Sequence, residues 1–303
     1  MRIGVDLGGT KIETLALDKH GKARAGFRRP SPREDYRATL GAIAEMVEET
    51  ERQAGGGPSV VGVGMPGAIS PATGLVKNAN STWLNGRPFQ EDLAKALGRP
   101  VRTANDADCF AISEATDGAA AGAPVVFGVI LGTGVGGGIV IGGRLLAGAN
   151  AIAGEWGHNP LPRPAAAENP GPPCYCGRRG CIETWLSGPG LAADYAACSG
   201  QRLGTAAIVA GADAGDAEAD ASLARYEDRL GRALAHVVNI LDPHVIVLGG
   251  GMSKIARLYR RVPVLMAAHV FSDSVATRIQ PPRHGDASGV RGAAWLWRPE
   301  EAD

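Results

Sequence analysis

One pattern occurs twice in this sequence: an apolar strand, a glycine-rich turn and a second strand. The first copy is Arg2–Leu7, Gly8–Lys11 and Ile12–Leu17, and the second is Val125–Leu131, Gly132–Gly138 and Ile139–Ile141. Two short apolar runs joined by glycines predict a β-hairpin. Runs with helical spacing alternate with further strands, which predicts an α/β protein. The repetition predicts two similar α/β halves that face a cleft.

The length of the chain also favours two domains. Its 303 residues are enough for two domains of about 100–200 residues each. We expect an N-terminal α/β domain over 1–118 and a C-terminal α/β domain over 119–303, the latter with a cysteine-rich loop. The final helix, about 287–298, can pack back on the N-terminal domain.

Composition excludes several classes of function. The 31 Lys and Arg residues balance 31 Asp and Glu residues, so no net basic field attracts nucleic acid or anionic lipid. Asp6 interrupts the first apolar run, which argues against a secretory signal. No uncharged apolar stretch approaches the roughly 18 residues of a membrane span. Five cysteines are too few for a disulfide-stapled secreted domain, so we expect a cytoplasmic protein.

The glycine turns are candidate phosphate-binding loops. Gly132, Gly134 and Gly137 have the GxGxxG spacing, but that dinucleotide fingerprint needs a helix next, and the following residues predict a strand. A Walker-type phosphate loop is absent from the sequence as well. Backbone N–H groups of such a turn can still converge on phosphate oxygens. One turn alone is more often a plain hairpin, whereas two turns and a third glycine run, Gly249–Gly251, favour nucleotide binding.

Asp6 lies inside the apolar run of the first predicted strand. Burying a carboxylate without a partner is costly. A Mg²⁺ ion next to nucleotide phosphates would supply that partner, because Mg²⁺ prefers carboxylate and phosphate oxygens. The alternative is that Asp6 only caps a local turn.

A second candidate ion site is the cysteine-rich loop. Cys174, Cys176 and Cys181 lie within eight residues, and His158 precedes them by sixteen. Three thiolates and one imidazole form the ligand set of a closed, structural Zn²⁺ site. The alternative is three buried thiols and a core histidine.

Several of these motifs resemble those of the ROK sugar kinases. They are DLGGTK at 6–11, LGTGVGGG at 131–138, LGGG at 248–251, GEWGH at 154–158 and CYCGRRGCIE at 174–183. The resemblance covers essentially the whole chain and implies the actin/hexokinase-type (ribonuclease H-like) fold, with two α/β domains around a catalytic cleft. Three stretches are closer still to the bacterial ROK fructokinases, also called manno(fructo)kinases. They are KNANSTWLNG at 77–86, GEWGHNPLP at 154–162 and HGDASGVRGAAWLW at 284–297.

The resemblance implies roles for individual residues. Asn105 and Asp106 would contact the sugar with Asp106 as the general base, although a helix cap is the plain structural alternative; Asp108 is rejected as the base. Further sugar-binding residues would be Asn80, Glu155, His158 and Glu183. His158 would bind zinc with one ring nitrogen and the sugar with the other. The nucleotide would contact Asp6, Gly8, Gly9, Thr10, Lys11, Gly132, Thr133, Gly134, Gly136, Gly249, Gly250 and Gly251.

The expected function is transfer of the γ-phosphoryl group of ATP, with Mg²⁺, to the 6-hydroxyl of D-fructose. Mannose, glucose or an N-acetylated hexosamine is the alternative acceptor. A sugar-responsive repressor of the same family would need a helix-turn-helix ahead of the first glycine turn, and we expect none. A catalytically inactive sugar-binding protein is disfavoured because Asp6 and Asp106 are both present. The expected partners are ATP and a hexose, with neither nucleic acid nor membrane, and a homodimer is left open.

Overall fold

The computed structural model describes residues 1–57 and 59–301, with the exception of the Pro299 side chain. The chain divides into two compact units. The first unit contains Met1–Gly122, Gly138–Ala153 and the segment from Arg283 onward, and the second contains Ala123–Gly137 and Gly154–Pro282. Residues 138–153 lie beyond position 118 and belong to the first unit, together with the final segment that contains the helix expected to pack there. Within the described residues, no helix is long and apolar enough to cross a bilayer.

Strands and helices alternate along most of the chain. The strands are β1 (Arg2–Leu7), β2 (Lys11–Leu17), β3 (Ala23–Pro30), β4 (Val60–Met65), β5 (Ala68–Ile69), β6 (Val76–Lys77), β7 (Val101–Asn105), β8 (Val125–Leu131), β9 (Val135–Ile141), β10 (Arg144–Leu145), β11 (Val245–Gly249) and β12 (Arg278–Gln280). The helices are α1 (Tyr36–Gln53), α2 (Phe89–Leu97), α3 (Asp106–Thr116), α4 (Ile182–Leu186), α5 (Gly188–Ser199), α6 (Thr205–Asp213), α7 (Ala217–Leu241), α8 (Leu258–Ala267) and α9 (Ser288–Trp295).

Two larger sheets organise these strands. The first has the order β3-β2-β1-β4-β7, with β1, β4 and β7 parallel and the β1–β2 and β2–β3 pairs antiparallel. The second has the order β10-β9-β8-β11-β12, with β8, β11 and β12 parallel. The predicted hairpins are therefore confirmed. Because strand β9 follows the 132–134 turn, the exclusion of a dinucleotide fingerprint is confirmed as well.

Side-chain alternation along β1 gives the first sheet two different faces. Ile3 and Val5 are fully buried in an apolar cluster that includes Ile43 of α1. Gly4 points to the opposite face, because successive residues of a strand alternate sides. A Cβ on Gly4 would lie 2.0 Å from the carbonyl oxygen of Val290, so α9 packs directly on the strand backbone.

Glycine permits the same close approach at two more contacts of α9. A Cβ on Gly62 of β4 would lie 1.9 Å from the Ala293 oxygen, and one on Gly292 would lie 1.6 Å from the Cys109 oxygen of α3. Real Cβ atoms do not approach backbone oxygens so closely. Helix α9 is therefore held between β1, β4 and α3 by contacts that only glycine allows.

Two predicted boundaries are wrong for identifiable reasons. Strand β9 begins at Val135 rather than Ile139, because the glycines before Ile139 are part of the strand and not of the turn. Close packing calls for glycine there: a Cβ on Gly138 would be 2.7 Å from the Ala107 oxygen. The alanine-rich run 106–121 predicts one helix, but α3 ends at Thr116. There the Glu114 carboxylate turns back to accept a hydrogen bond from Ala119 N at 2.8 Å.

The α9 contacts predict that Gly292→Ala destabilises the first unit strongly, by about 2–5 kcal/mol, since a buried backbone contact must open. The measurement is urea unfolding of the purified variant. Gly41→Ala is the matched control, because Gly41 lies in α1 with no neighbour within 4 Å of a new Cβ. Alanine in a helix interior should stabilise it by about 0.5–1 kcal/mol. Equal unfolding midpoints for the two variants would refute the packing account.

Candidate functional site

Two carboxylates lie at one end of the first sheet. Asp6 is near the end of β1, and Asp106 directly follows β7 as the first residue of α3. Both strands pair with β4 in parallel, where Asp6 is opposite Gly64 and Asn105 is opposite Met65. The carboxyl ends of parallel strands meet at the same edge, which is where α/β proteins place their ligands.

Lys11 and Arg28 offset only part of the negative charge around this carboxylate pair. Burial, followed by the negative charges of Asp106 and Glu13, raises the pKa of Asp6 to about 6. A Cβ on Gly289 would lie 3.2 Å from Asp6 Oδ2, so glycine leaves that side of the carboxylate uncrowded. A divalent cation would relieve the repulsion, and one or two carboxylates with phosphate oxygens are the usual Mg²⁺ ligands in proteins. The residues present fit such an ion.

Asn105 caps the N-terminus of α3, and the carboxylate of the next residue, Asp106, is partly exposed. Ala107 N donates to Asn105 Oδ1 at 2.8 Å and to Asp106 Oδ1 at 2.9 Å. Desolvation by the surrounding protein raises the pKa of Asp106, and the hydrogen bond from Ala107 opposes that shift. Asp106 nevertheless keeps an exposed surface. A carboxylate that is fixed, open and raised in pKa is suited to accept a proton.

Asn105 also connects the start of α3 to the loop 77–86. Its Nδ2 donates to the Gly67 oxygen at 3.1 Å. Gly67 has φ +76°, and a Cβ there would lie 2.3 Å from the Lys77 oxygen, so glycine is required at this contact. Asn80, in the same loop, is exposed. The loop is thereby placed beside Asn105.

Asn85 holds this loop and was not predicted as a site residue. Its Oδ1 accepts from Ala79 N and its Nδ2 donates to Ala79 O, both at 2.9 Å. The amide thus fixes both backbone groups of the residue before Asn80. A Cβ on Gly9 of the first glycine turn would lie 3.6 Å from Ser81 Oγ, so this turn is the loop's neighbour. An asparagine within a turn-rich segment is too common a signal to reveal such a role.

In the second unit, Glu183 and the 154–158 segment contact the start of β9, directly after the 132–134 turn. Glu183 Oε2 accepts a hydrogen bond from Val135 N at 3.0 Å. Trp156 Nε1 donates to the Gly136 oxygen at 3.0 Å. A Cβ on Gly157 would lie 2.1 Å from the Val135 oxygen, which explains the glycine in GEWGH. These contacts place His158, together with the exposed Glu155, beside the turn.

The same turn forms one wall of a cavity of about 850 Å³ within the second unit. The lining is mostly apolar, with a few polar groups. It consists of Gly132, Thr133, Gly188, Pro189, Ala192, Gly204, Thr205, Ala206, Val209, Ala210, Asp213, Gly251, Met252, Lys254 and Ile255. Such a volume and lining are typical of a small-molecule site. Helices α5 and α6, which supply much of the lining, were not predicted to contribute.

Two glycines of this wall are not explained by packing. A Cβ on Gly132 or on Gly251 would meet nothing within 4 Å, and neither residue has a left-handed φ. By contrast, Gly250 has φ +78° and lies against the Leu131 oxygen, so the fold itself requires a glycine there. Absent side chains at Gly132 and Gly251 leave that wall of the cavity open, although the Gly132 N–H itself donates to the Gly134 oxygen at 3.0 Å.

The predicted zinc ligands converge. Ligand atoms of His158, Cys174, Cys176 and Cys181 all lie within 4.8 Å of one another. His158 Nδ1 is 3.6 Å from Cys174 Sγ, and the Sγ atoms of Cys176 and Cys181 are also 3.6 Å apart. Tetrahedral Zn²⁺ with Zn–S bonds of about 2.3 Å separates its sulfur ligands by roughly this distance. The cluster fits a structural zinc ion.

A buried ionic network holds the loop that contains this cluster. Glu168 accepts hydrogen bonds from Arg229 and Arg232 of α7, at 2.7 and 3.0 Å. Arg229 also pairs with Asp194 of α5, and its guanidinium lies over the Trp185 ring. Burial raises the pKa of Glu168, but these arginines outweigh burial and hold the pKa below its ordinary value. The loop is thus anchored to helices independently of the metal ligands.

Tyr175 is a second residue that sequence reasoning missed. Its hydroxyl lies 2.9 Å from His158 Nε2, and the two rings meet edge to face. Partial desolvation, followed by the charges of Glu183, Cys174 and Glu155, raises the pKa of Tyr175 to about 12. A position between two cysteine ligands was the only sequence signal for it.

Comparisons with known proteins agree with this geometry. Residues 2–300 match the ROK family model. An N-acetyl-D-glucosamine kinase from Yersinia pseudotuberculosis is 41% identical over 300 residues, covering 98% of each chain. The ROK hexokinase from Thermus thermophilus superposes with a TM-score of 0.86 at 31% identity, covering 97% of this chain and 96% of that one. The ROK family glucokinase from Streptomyces griseus, solved with glucose and AMPPNP, superposes with a TM-score of 0.75 at 27% identity, covering 97% of this chain and 98% of that one. The predicted actin/hexokinase-type α/β fold class is confirmed.

Proposed function

The chain belongs to the ROK family, and on that premise we propose that it is an ATP-dependent hexose kinase. It transfers the γ-phosphoryl group of ATP to the 6-hydroxyl of the sugar. The observation that carries the proposal is the pair Asp6 and Asp106, two carboxylates of raised pKa at the carboxyl ends of the parallel strands β1 and β7. Phosphoryl transfer needs a metal site and a proton acceptor, and this pair offers both.

The glycine-walled cavity is the nucleotide site in this proposal. Its apolar lining suits a nucleobase and ribose, and the absence of side chains at Gly132 and Gly251 leaves room for the phosphates. Asp6 would hold Mg²⁺, directly or through water, and the ion would neutralise charge on the phosphates. The first glycine turn, Gly8–Lys11, adds backbone N–H groups for the same purpose.

Asp106 acts as the general base. As the sugar O6 attacks the γ-phosphorus, its proton passes to the Asp106 carboxylate, and the bond from the γ-phosphorus to the bridging oxygen breaks to release ADP. Asn105, held by Gly67, positions the sugar beside the base. Asn80, Glu155, His158 and Glu183 complete the acceptor site by their match to the family motifs.

The proposed acceptor is D-fructose, giving fructose 6-phosphate. Selectivity among hexoses depends on the few side chains that touch the hydroxyls, because discrimination is a difference in transition-state contacts. The stretches most similar to ROK fructokinases include the loop 77–86 and the segment 154–162, which contain or adjoin those side chains. The alternative to a fructokinase is an N-acetyl-D-glucosamine kinase, which the 41% identity of the Yersinia kinase favours.

Zinc is proposed as a structural ion at His158, Cys174, Cys176 and Cys181. When bound, it would fix the ring of His158 through Nδ1 and leave Nε2 directed away from the cluster. Cys181 directly precedes α4, whose second residue is Glu183, so the cluster also positions that carboxylate. The metal would thus order the acceptor side of the site.

A coupled assay of ADP release against a panel of hexoses tests the activity and the acceptor together. We expect fructose to give the highest kcat/KM, mannose to follow, and N-acetyl-D-glucosamine to be poor. A preference for N-acetyl-D-glucosamine would replace the acceptor but keep the kinase. Hexose binding without turnover on any sugar would instead indicate a non-catalytic sugar-responsive protein.

Asp106→Asn should lower kcat by about 10²–10⁴-fold, the usual contribution of a positioned base, while hexose affinity changes little. Asn keeps the size of the side chain, so the cap on α3 should survive. Asp108→Asn is the control and should lose far less activity. Steady-state kinetics with calorimetric sugar binding measure both effects. Equal losses in the two variants would remove Asp106 from its assigned role.

Metal analysis should find about one zinc per chain, and Cys176→Ala should abolish it. The loss should raise KM for the hexose while KM for ATP stays nearly constant, because His158 and Glu183 depend on the cluster and the cavity does not contain it. Full hexose affinity in protein shown to be zinc-free would contradict this coupling.

A further inference from the structure

Tyr175 has an unusual setting for so large a side chain. It is 83% exposed, yet its hydroxyl is hydrogen bonded to His158 Nε2 at 2.9 Å. The ring centroids of the two residues are 5.1 Å apart at an interplanar angle of 86°. Because the ring is largely exposed, its position depends on its contacts with His158 rather than on core packing.

The hydrogen bond occupies the outward-facing nitrogen of His158. The other nitrogen, Nδ1, faces the Cys174 thiol at 3.6 Å and belongs to the Cys/His cluster. Nε2 is therefore the ring nitrogen through which His158 can bind a ligand from outside the cluster. In this structure the hydroxyl of Tyr175 is the group that is hydrogen bonded to Nε2.

The surroundings of the hydroxyl are those of the proposed acceptor site. Glu155 lies three residues before His158, and Glu183 lies two residues after the cluster residue Cys181. Together with His158, they are the side chains of the second unit assigned to the sugar. A phenolic hydroxyl at this point has the same hydrogen-bonding capacity as a sugar hydroxyl, one donor and two acceptor lone pairs.

We propose that Tyr175 is an affinity-determining residue of the acceptor site whose hydroxyl takes the place of a sugar hydroxyl on His158 until the sugar displaces it. The inference rests on the proposed function. Because the ring is exposed, it can turn aside with little loss of buried surface. The sugar must break the Tyr175–His158 hydrogen bond before forming its own, and this lowers its net affinity.

Tyr175→Phe tests the proposal, because it removes the hydroxyl and keeps the ring against His158. Isothermal titration of the zinc-loaded protein with its best hexose, without nucleotide, should give a Kd about two- to tenfold lower than wild type. That range corresponds to one net hydrogen bond of about 0.5–1.5 kcal/mol. Zinc content and ATP affinity should not change.

Tyr36→Phe is the matched control, since Tyr36 donates its hydroxyl to Asp92 in the first unit, at 2.8 Å. Its hexose Kd should equal that of wild type. An unchanged Kd in Tyr175→Phe would overturn the proposal, and a raised Kd would overturn it by making Tyr175 a sugar ligand. If wild type neither binds nor phosphorylates a hexose, the proposed function itself fails, which the wild-type panel shows independently.

Discussion

The close approach of α9 to β1, β4 and α3 determines where the carboxylates of the first unit lie. Gly4, Gly62 and Gly292 leave no space for a Cβ, so the helix and its neighbours share backbone contacts rather than side-chain packing. Asp6 is on β1 and Asp106 is on α3, and both elements pack on this helix. The segment from Arg283 onward, which contains α9, therefore completes the unit that begins with Met1–Gly122.

In the second unit, the 132–134 turn and the start of β9 position the candidate site residues. Backbone groups at the start of β9 form hydrogen bonds with Trp156 and Glu183 and lie directly against Gly157. The turn itself lines the cavity. A loop proposed to bind phosphate thus shares its backbone with side chains proposed to bind sugar. A substitution at Gly134 would affect both, since a Cβ there would lie 2.6 Å from Glu183 Oε2.

Sequence reasoning was strongest where a local pattern has one physical solution. Glycines between apolar runs gave both hairpins, and the spacing of three cysteines gave the cluster that the structure brings together with His158. It failed where contacts between distant segments determine the bounds of an element or the role of a residue. Strand β9 extends through glycines because Ala107 and Gly154 approach them, and neither contact is visible along the sequence. Asn85 and Tyr175 were missed for the same reason.

The most direct test of the account is a crystal structure with Mg²⁺, a non-hydrolysable ATP analogue and the hexose that the enzyme prefers. The account predicts phosphates on the glycine-rich segment 132–138, the metal ion next to Asp6, and the sugar 6-hydroxyl within hydrogen-bond distance of the Asp106 carboxylate. A sugar whose 6-hydroxyl lies away from Asp106, with another carboxylate in contact, would contradict it.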